Sequence, residues 1–229
     1  HNFIIIREFD ADLEVTNFPF RIKKRFSGLY TKKVWCIIDE IFLKKMKTLL
    51  NQIIIAMPHM QDERFSKSVI FICEHNSYGA IGLIINKRIE KNLSLKIISE
   101  LNKKIDFIVN SDVSLYFGGP VSIERGIVVH DNNIIIKNSV KISDNLFMSS
   151  HIESVKMVQS NKKCKYKFMM GYSGWSPGQL ESEVENGDWI IQETSSDFVF
   201  NNRDEQMWEL AIGSYGIEIS NLSAQGGSA

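Results

Sequence analysis

The chain has 229 residues, 44% hydrophobic and 24% charged, which is ordinary globular usage and enough to bury a core. Lys plus Arg equals Asp plus Glu at 27 each, so no global field draws it to nucleic acid or to an anionic membrane. Cys36, Cys73 and Cys164 show no CxxC spacing, which excludes a disulfide framework or a zinc ribbon and suits a reducing cytosol.

No apolar run approaches the ~20 residues that span a bilayer, and Ile53-Ile-Ile-Ala-Met57 is too short even for a signal-peptide core. The expectation is a cytosolic protein with no membrane partner. Residues 1–45 stand apart, holding nine Lys or Arg against six Asp or Glu and leaving 18 against 21 for residues 46–229. Met46 opens Met-Lys-Thr-Leu-Leu-Asn-Gln-Ile-Ile-Ile-Ala-Met-Pro, which reads as a natural beginning. Residues 1–45 therefore read as a non-native extension ahead of a domain at 46–229. The other reading is an N-terminal arm that packs through Trp35, Ile37, Ile38, Ile41 and Leu43.

Gln52 to Ala56 predicts a short strand, stopped at Met57-Pro58 because proline has no N–H for a ladder. Residues 68–73 and 81–86 are nearly uninterrupted apolar, β-branched runs, so they predict central strands covered on both faces, with a hairpin turn at Glu74-His-Asn-Ser-Tyr-Gly79. Ser94 ahead of Leu95, Ile97, Ile98 and Leu101 predicts an N-capped amphipathic helix. Residues 114–117 and 126–130 predict strands around a loop at 118–125, and residues 134–142 a further strand. Ile152, Val155, Met157 and Val158 mark a second helix ending near Asn161. In Lys163-Cys-Lys-Tyr-Lys-Phe168 the alternation places Lys163, Lys165 and Lys167 on a wet face and Cys164, Tyr166 and Phe168 toward the core. A helix over 177–186, strands at 189–192 and 198–200, a helix over 203–214 and a strand at 217–219 complete the pattern. Helices scattered among adjacent hairpins predict an α+β domain around a mixed sheet.

Gly171-Tyr-Ser173-Gly-Trp175 invites comparison with a nucleophile elbow, which needs glycine two before and two after the serine. Trp175 stands where the second glycine belongs, so the motif fails. A helix start accounts for the same letters: Ser176 as N-cap, Pro177 at the first helical position, Gln179 closing a capping box, Trp175 and Leu180 as a hydrophobic staple, and Gly187 as the left-handed stop.

Cys73-Glu74-His75 places a thiol, a carboxylate and an imidazole at a hairpin mouth, with Cys73 and His75 on one side and Glu74 on the other. Cys73 ends an apolar run and reads as an inert buried thiol. His75 and His130 both follow strands, but two histidines without a third ligand make a poor metal site, and no cofactor is expected. Gly118-Gly119 reads as a tight turn before Pro120, because neither GxGxxG nor a P-loop lysine accompanies it. Asp62 either caps a turn or stands beside the same cleft. The residues that frame a candidate ligand cleft are Asp62, Glu74, His75, Gly118, Gly119, Trp175 and Gln179, and no catalytic residue is assigned. Direct DNA binding is not expected, since the predicted helices are acidic or neutral and the lysine stripe at 163–167 reads as a solvated sheet face.

Four blocks in order carry a resemblance: Ile55 to Val69, Ile72 to Lys87, Phe117-Gly-Gly-Pro-Val121 with Arg125-Gly-Ile-Val-Val-His130, and Gly171 to Trp189. Together they are similar to the AlgH/YqgE family of small cytosolic bacterial proteins, from about residue 46 to the C-terminus. The resemblance implies a single α/β or α+β domain with a mixed, partly curled sheet flanked by helices. It implies little about activity: members are often labelled transcriptional regulators, without an established reaction. The expectation is a non-enzymatic, regulatory protein acting through a protein partner or a small ligand. The alternative is a nucleotide- or small-molecule-binding protein with an enzymatic activity of its own. The family commonly carries a small residue such as alanine where Ser173 stands, which argues further against a nucleophile. This chain departs from the family at Gly227-Ser-Ala229, where relatives often carry Gly-His-Ala.

Overall fold

The computed structural model describes residues 48–215, so the extension at 1–45 and the strand expected at 217–219 lie outside the described residues. The element order is β1 Gln52–Ala56, β2 Val69–Asn76, β3 Gly79–Ile84, α1 Lys91–Asn102, β4 Leu115–Phe117, β5 Val121–His130, β6 Val140–Lys141, β7 Phe147–Ser149, α2 Glu153–Ser160, β8 Tyr166–Trp175, α3 Gln179–Glu185, β9 Trp189–Glu193, α4 Ser196–Asn201 and α5 Asp204–Gly213. The strands form one sheet in the order β6-β7-β5-β8-β3-β2-β1-β9, antiparallel except where β4 runs parallel to β8. This is the α+β domain with a mixed, curled sheet that the sequence pattern and the resemblance implied.

The curl is built at β8. Its first half pairs with β5 and its last three residues pair with β3, with Gly171 (φ 72°) between the two stretches. A Cβ at Gly171 would lie 2.5 Å from the carbonyl oxygen of Gly119, so only glycine permits the two chains to approach this closely.

Alternation along the strands separates three apolar layers. Ile53, Ile55, Val69, Phe71 and Leu83 point to one face, where α5 covers them with Met207, Trp208, Ala211 and Ile212. Ile54, Ile70, Ile72 and Ile84 point to the opposite face and meet Trp175, Trp189 and Leu180 of α3. Across the other half of the sheet, Val128, Phe168 and Met170 meet Ile98 of α1 and Val155 and Val158 of α2. The apolar runs of β2 and β3 thus face cover on both sides, as predicted, β1 is covered in the same way, and each buried Ile or Phe side chain contributes about 1.5–3 kcal/mol. The Trp208 indole N–H donates to the Ala56 carbonyl (2.8 Å), tying α5 to the end of β1.

Several local expectations are corrected. Glu90, not Ser94, caps α1: its carboxylate accepts from the Asn92 N–H, while Ser94 is buried inside the helix and donates to the Ile89 carbonyl. The supposed loop at 118–125 is largely strand, because β5 begins at Val121 and continues through a register shift to Gly126. Residues 134–142 supply only the two-residue β6, and Phe147–Ser149 forms a strand that the sequence reading passed over.

Residues 198–200, taken for a strand on the β propensity of Phe-Val-Phe, lie in α4. Ser195 sits in extended geometry and its hydroxyl accepts from the Phe198 N–H, and this cap overrides the propensity. The helix start at 177–179 is also different. Gln179 N–H donates to the Ser176 carbonyl (3.0 Å) and Gly178 adopts φ 75°, ψ −5°, which makes Ser-Pro-Gly-Gln a type II turn and Gly178 the N-cap. Half of the capping box survives, since the Gln179 side-chain oxygen accepts from the Ser176 N–H. At the other end, Gly187 N–H reaches the Val184 carbonyl and Asp188 N–H the Glu183 carbonyl, the paired bonds of a Schellman stop at a left-handed glycine.

Candidate functional site

The residues nominated from sequence do not converge on one cleft. Three of them meet beside α3. The Glu183 carboxylate accepts from the indole N–H of both Trp175 and Trp189 (2.8 Å each) and from the Gln179 side-chain amide (2.9 Å). The two indoles meet edge to face at 6.2 Å, and Phe65 packs edge-on against Trp189. His75 stands next to this clamp: its Nδ1 accepts from the Leu49 N–H and its Nε2 lies 2.9 Å from Glu181. Every polar atom in the clamp already has a protein partner, so it fastens α3 to the sheet.

The others lie elsewhere. Glu74 is exposed and accepts from the Asn76 side-chain amide nearby. A bulge between Ile72 and Glu74 shifts the β2 register, which sends Cys73 into the layer under α5 and His75 toward α3. The expectation that Cys73 and His75 share a side is therefore overturned, because a bulge inserts one residue into the alternation. Burial raises the Cys73 thiol well above its ordinary pKa, with the Glu74 charge adding to it, and the Cys164 thiol is pushed up to about 12, first by burial. Neither is a ready nucleophile.

Gly118 and Gly119 press against β8, where a Cβ would fall 2.3 Å from the Gly171 carbonyl oxygen and 2.3 Å from the Tyr172 carbonyl carbon respectively. Gly118 N–H donates to Met170, and its carbonyl accepts from Ile84 N–H and the Ser173 hydroxyl. Ser173 itself is fully buried. Asp62 closes its own turn by accepting from the Arg64 N–H and guanidinium, and that guanidinium holds its carboxyl below the usual range. His130 stacks on Phe147, with β8 and β3 between its strand and that of His75. Among the described residues, no group of three His, Cys, Asp or Glu is placed to hold a metal.

A different place gathers chemistry. Along β8, Phe168 and Met170 face α1 and α2, so Lys167 faces the α5 layer with Met169. The sequence reading set Lys167 on a wet face with Lys163 and Lys165. Those two are exposed, but Lys167 is only 4% exposed, because Asp204 at the start of α5 and the Tyr116 ring lie against its ammonium. Its ammonium donates to the Ile85 carbonyl (2.7 Å) and to Asp204 Oδ1 (2.6 Å), the first residue of α5. Asp204 Oδ2 accepts from the Tyr116 hydroxyl (3.1 Å) and pairs with Arg88 Nη2 at 3.0 Å, while that Nη2 donates to the Tyr116 hydroxyl (3.2 Å). The Tyr116 ring supports both cations on its face, with Lys167 Nζ 4.2 Å and the Arg88 guanidinium 5.6 Å from its centroid.

This network lines an open cleft of about 450 Å³, together with Asn202, Arg203 and Glu205. Burial lowers the Lys167 pKa, Asp204 opposes the shift, and the Arg88 charge adds to it. Burial raises the Tyr116 pKa, so the phenol keeps its proton. The volume is that of a small-ligand site, and three cations, Arg88, Lys167 and Arg203, face two carboxylates, Asp204 and Glu205. No sequence signal marked the site, since its members lie on β4, β8, α5 and the segment after β3.

A family model described as AlgH-like (DUF179) matches residues 53–220. A UPF0301 protein of Ruegeria pomeroyi is 37% identical over 183 residues, covering 79% of this chain and 99% of that one. A UPF0301 protein of Ralstonia pickettii is 35% identical over 182 residues, with 79% and 95% covered. Among solved structures, the solution structure of the AlgH protein from Pseudomonas aeruginosa matches with a TM-score of 0.63 at 29% identity, over 80% of this chain and 97% of that one.

Proposed function

The chain belongs to the AlgH-like family, and from that premise we propose that it is a non-enzymatic, regulatory domain that senses a small anionic ligand in the cavity beneath α5. The observation that carries this reading is the buried ion pair Lys167–Asp204 opening onto a cavity rimmed by Arg88 and Arg203. A buried ion pair is a poor device for stability, since desolvation offsets most of its attraction and well-packed apolar groups do as well or better. Here it coincides with the cation excess of a pocket, which gives it a use in recognition.

The two obvious nucleophiles support a binding role over catalysis. Ser173 is sealed in the core against the Gly118 carbonyl, and the Cys73 thiol is buried and held protonated. Among the described residues no helix is long and apolar enough to cross a membrane, which is compatible with a cytosolic site of action.

The test is a thermal-denaturation screen against phosphosugars, nucleotides and small carboxylates. A ligand at 100 times its Kd stabilises by about 2.7 kcal/mol. The expected result is a shift with an anion that disappears in Arg88→Ala. A shift that survives Arg88→Ala and vanishes in Trp175→Phe would relocate the site to the α3 clamp, and retardation of a DNA fragment with a steep salt dependence would overturn the choice of ligand class.

A further inference from the structure

The cavity beneath α5 presents a primary amine in a setting that anion binding alone does not require. An inorganic anion placed there would meet Arg88 but would also face the Asp204 carboxylate, which already occupies the Lys167 ammonium at 2.6 Å. A ligand gains the lysine only by a contact that does not compete with that ion pair. The amine and the guanidinium are near neighbours, since both touch the one carboxylate of Asp204. A ligand that suits them both carries an electrophilic carbon directly beside a negative group.

We infer, building on the ligand-binding reading above, that Lys167 captures a small 2-oxo acid as a reversible imine, its Nζ joining the ligand's carbonyl carbon while Arg88 takes the adjacent carboxylate. Among the described residues only Nη2 of Arg88 is engaged, by Tyr116 and Asp204, which leaves its remaining N–H donors for the ligand. Burial and the Arg88 charge both favour the neutral amine, although Asp204 and Glu205 oppose them. Lysines made nucleophilic in this way, by desolvation and a neighbouring cation, are the ones that form Schiff bases.

The groups at hand balance the step. The ammonium first passes one proton to Asp204 Oδ1, along the existing hydrogen bond. The free Nζ electron pair then attacks the carbonyl carbon as the C=O π pair moves onto oxygen. A proton passes from the new C–N nitrogen to that oxygen, giving a neutral carbinolamine. Asp204 returns its proton to the hydroxyl, which departs as water while the nitrogen pair forms the C=N bond. The sum is one ammonium and one carbonyl converted to one protonated imine and one water, with no change of oxidation state. Asp204 ends as a carboxylate beside a cation, as it began. The Tyr116 hydroxyl, donating to Asp204 Oδ2, orients the carboxylate throughout.

The experiment uses the full chain with pyruvate and sodium cyanoborohydride, followed by digestion and peptide mass mapping, with pyruvate-induced thermal stabilisation recorded in parallel without reductant. The expected result is one reduced pyruvyl adduct on the peptide carrying Lys167, falling at least about tenfold in Arg88→Ala, as loss of one charge-assisted contact requires, and absent in Lys167→Arg. Adducts spread over the exposed Lys163 and Lys165 as heavily as over Lys167, or no adduct at all, overturn the inference. Because the map is made on the unaltered chain, the result stands even where a variant fails to fold. Stabilisation by pyruvate without an adduct sinks the imine and leaves the binding reading intact. Failure of every anion in the wider screen sinks the binding reading itself.

Discussion

Two carboxylates, each at a helix–sheet contact, are held in opposite ways. Glu183 beneath α3 is satisfied by three neutral donors, two indoles and an amide, and is walled by aromatic rings. Asp204 beneath α5 is satisfied by two cations and a phenol and opens onto a cavity. The first arrangement is complete as it stands. The second gathers more positive charge than the carboxylate needs, and that surplus distinguishes a binding site from a fastening.

The largest effect should come from breaking the ionic site on one side only. Asp204→Ala leaves Lys167 buried without its partner and should cost about 3–5 kcal/mol in urea unfolding, whereas the double replacement Lys167→Met with Asp204→Leu should recover most of that loss. A double variant no more stable than the single one would mean that the pair is needed for folding, and the contrast would fail. Glu183→Ala, which frees two indole N–H groups, should cost about 2–3 kcal/mol, with no change in any anion response. Trp175→Phe removes one donor from the clamp and should cost about 1 kcal/mol.

Arg88→Ala, at the rim, should change stability by less than about 1 kcal/mol while abolishing ligand-induced stabilisation. The smallest effect is a pH slope. The folded-state pKa of Lys167 lies below its unfolded value of 10.5, so between the two the unfolded chain binds more protons and stability rises with pH. The stability of the wild type relative to the double variant should therefore climb as pH is raised toward 10.5 when both chains also carry Tyr116→Phe, because Tyr116 titrates in the same range with the opposite sign and Asp204 contributes to its raised pKa. A flat or falling difference would contradict a lysine destabilised by burial.

What the sequence determined by itself follows from short-range periodicity and turn chemistry. The apolar runs of β1 to β3, the helix periods of α1 and α2, the left-handed stop at Gly187 and the family blocks were all legible because each is written within a few consecutive residues. Element boundaries moved where a local competitor was invisible: the Glu90 cap, the type II turn at Ser176–Gln179, and the Ser195 cap that turned Phe-Val-Phe into helix.

Only the tertiary structure decided the ionic site and the clamp. Strand alternation assigns Lys167 to a face, but whether that face meets water or α5 depends on a helix that begins 37 positions later in the chain. The bulge at Ile72/Glu74, which parted Cys73 from His75, likewise exists only in the pairing of β2 with β3. Burial and charge pairing are properties of what packs against a residue, and the partners come from distant segments whose meeting no local pattern encodes.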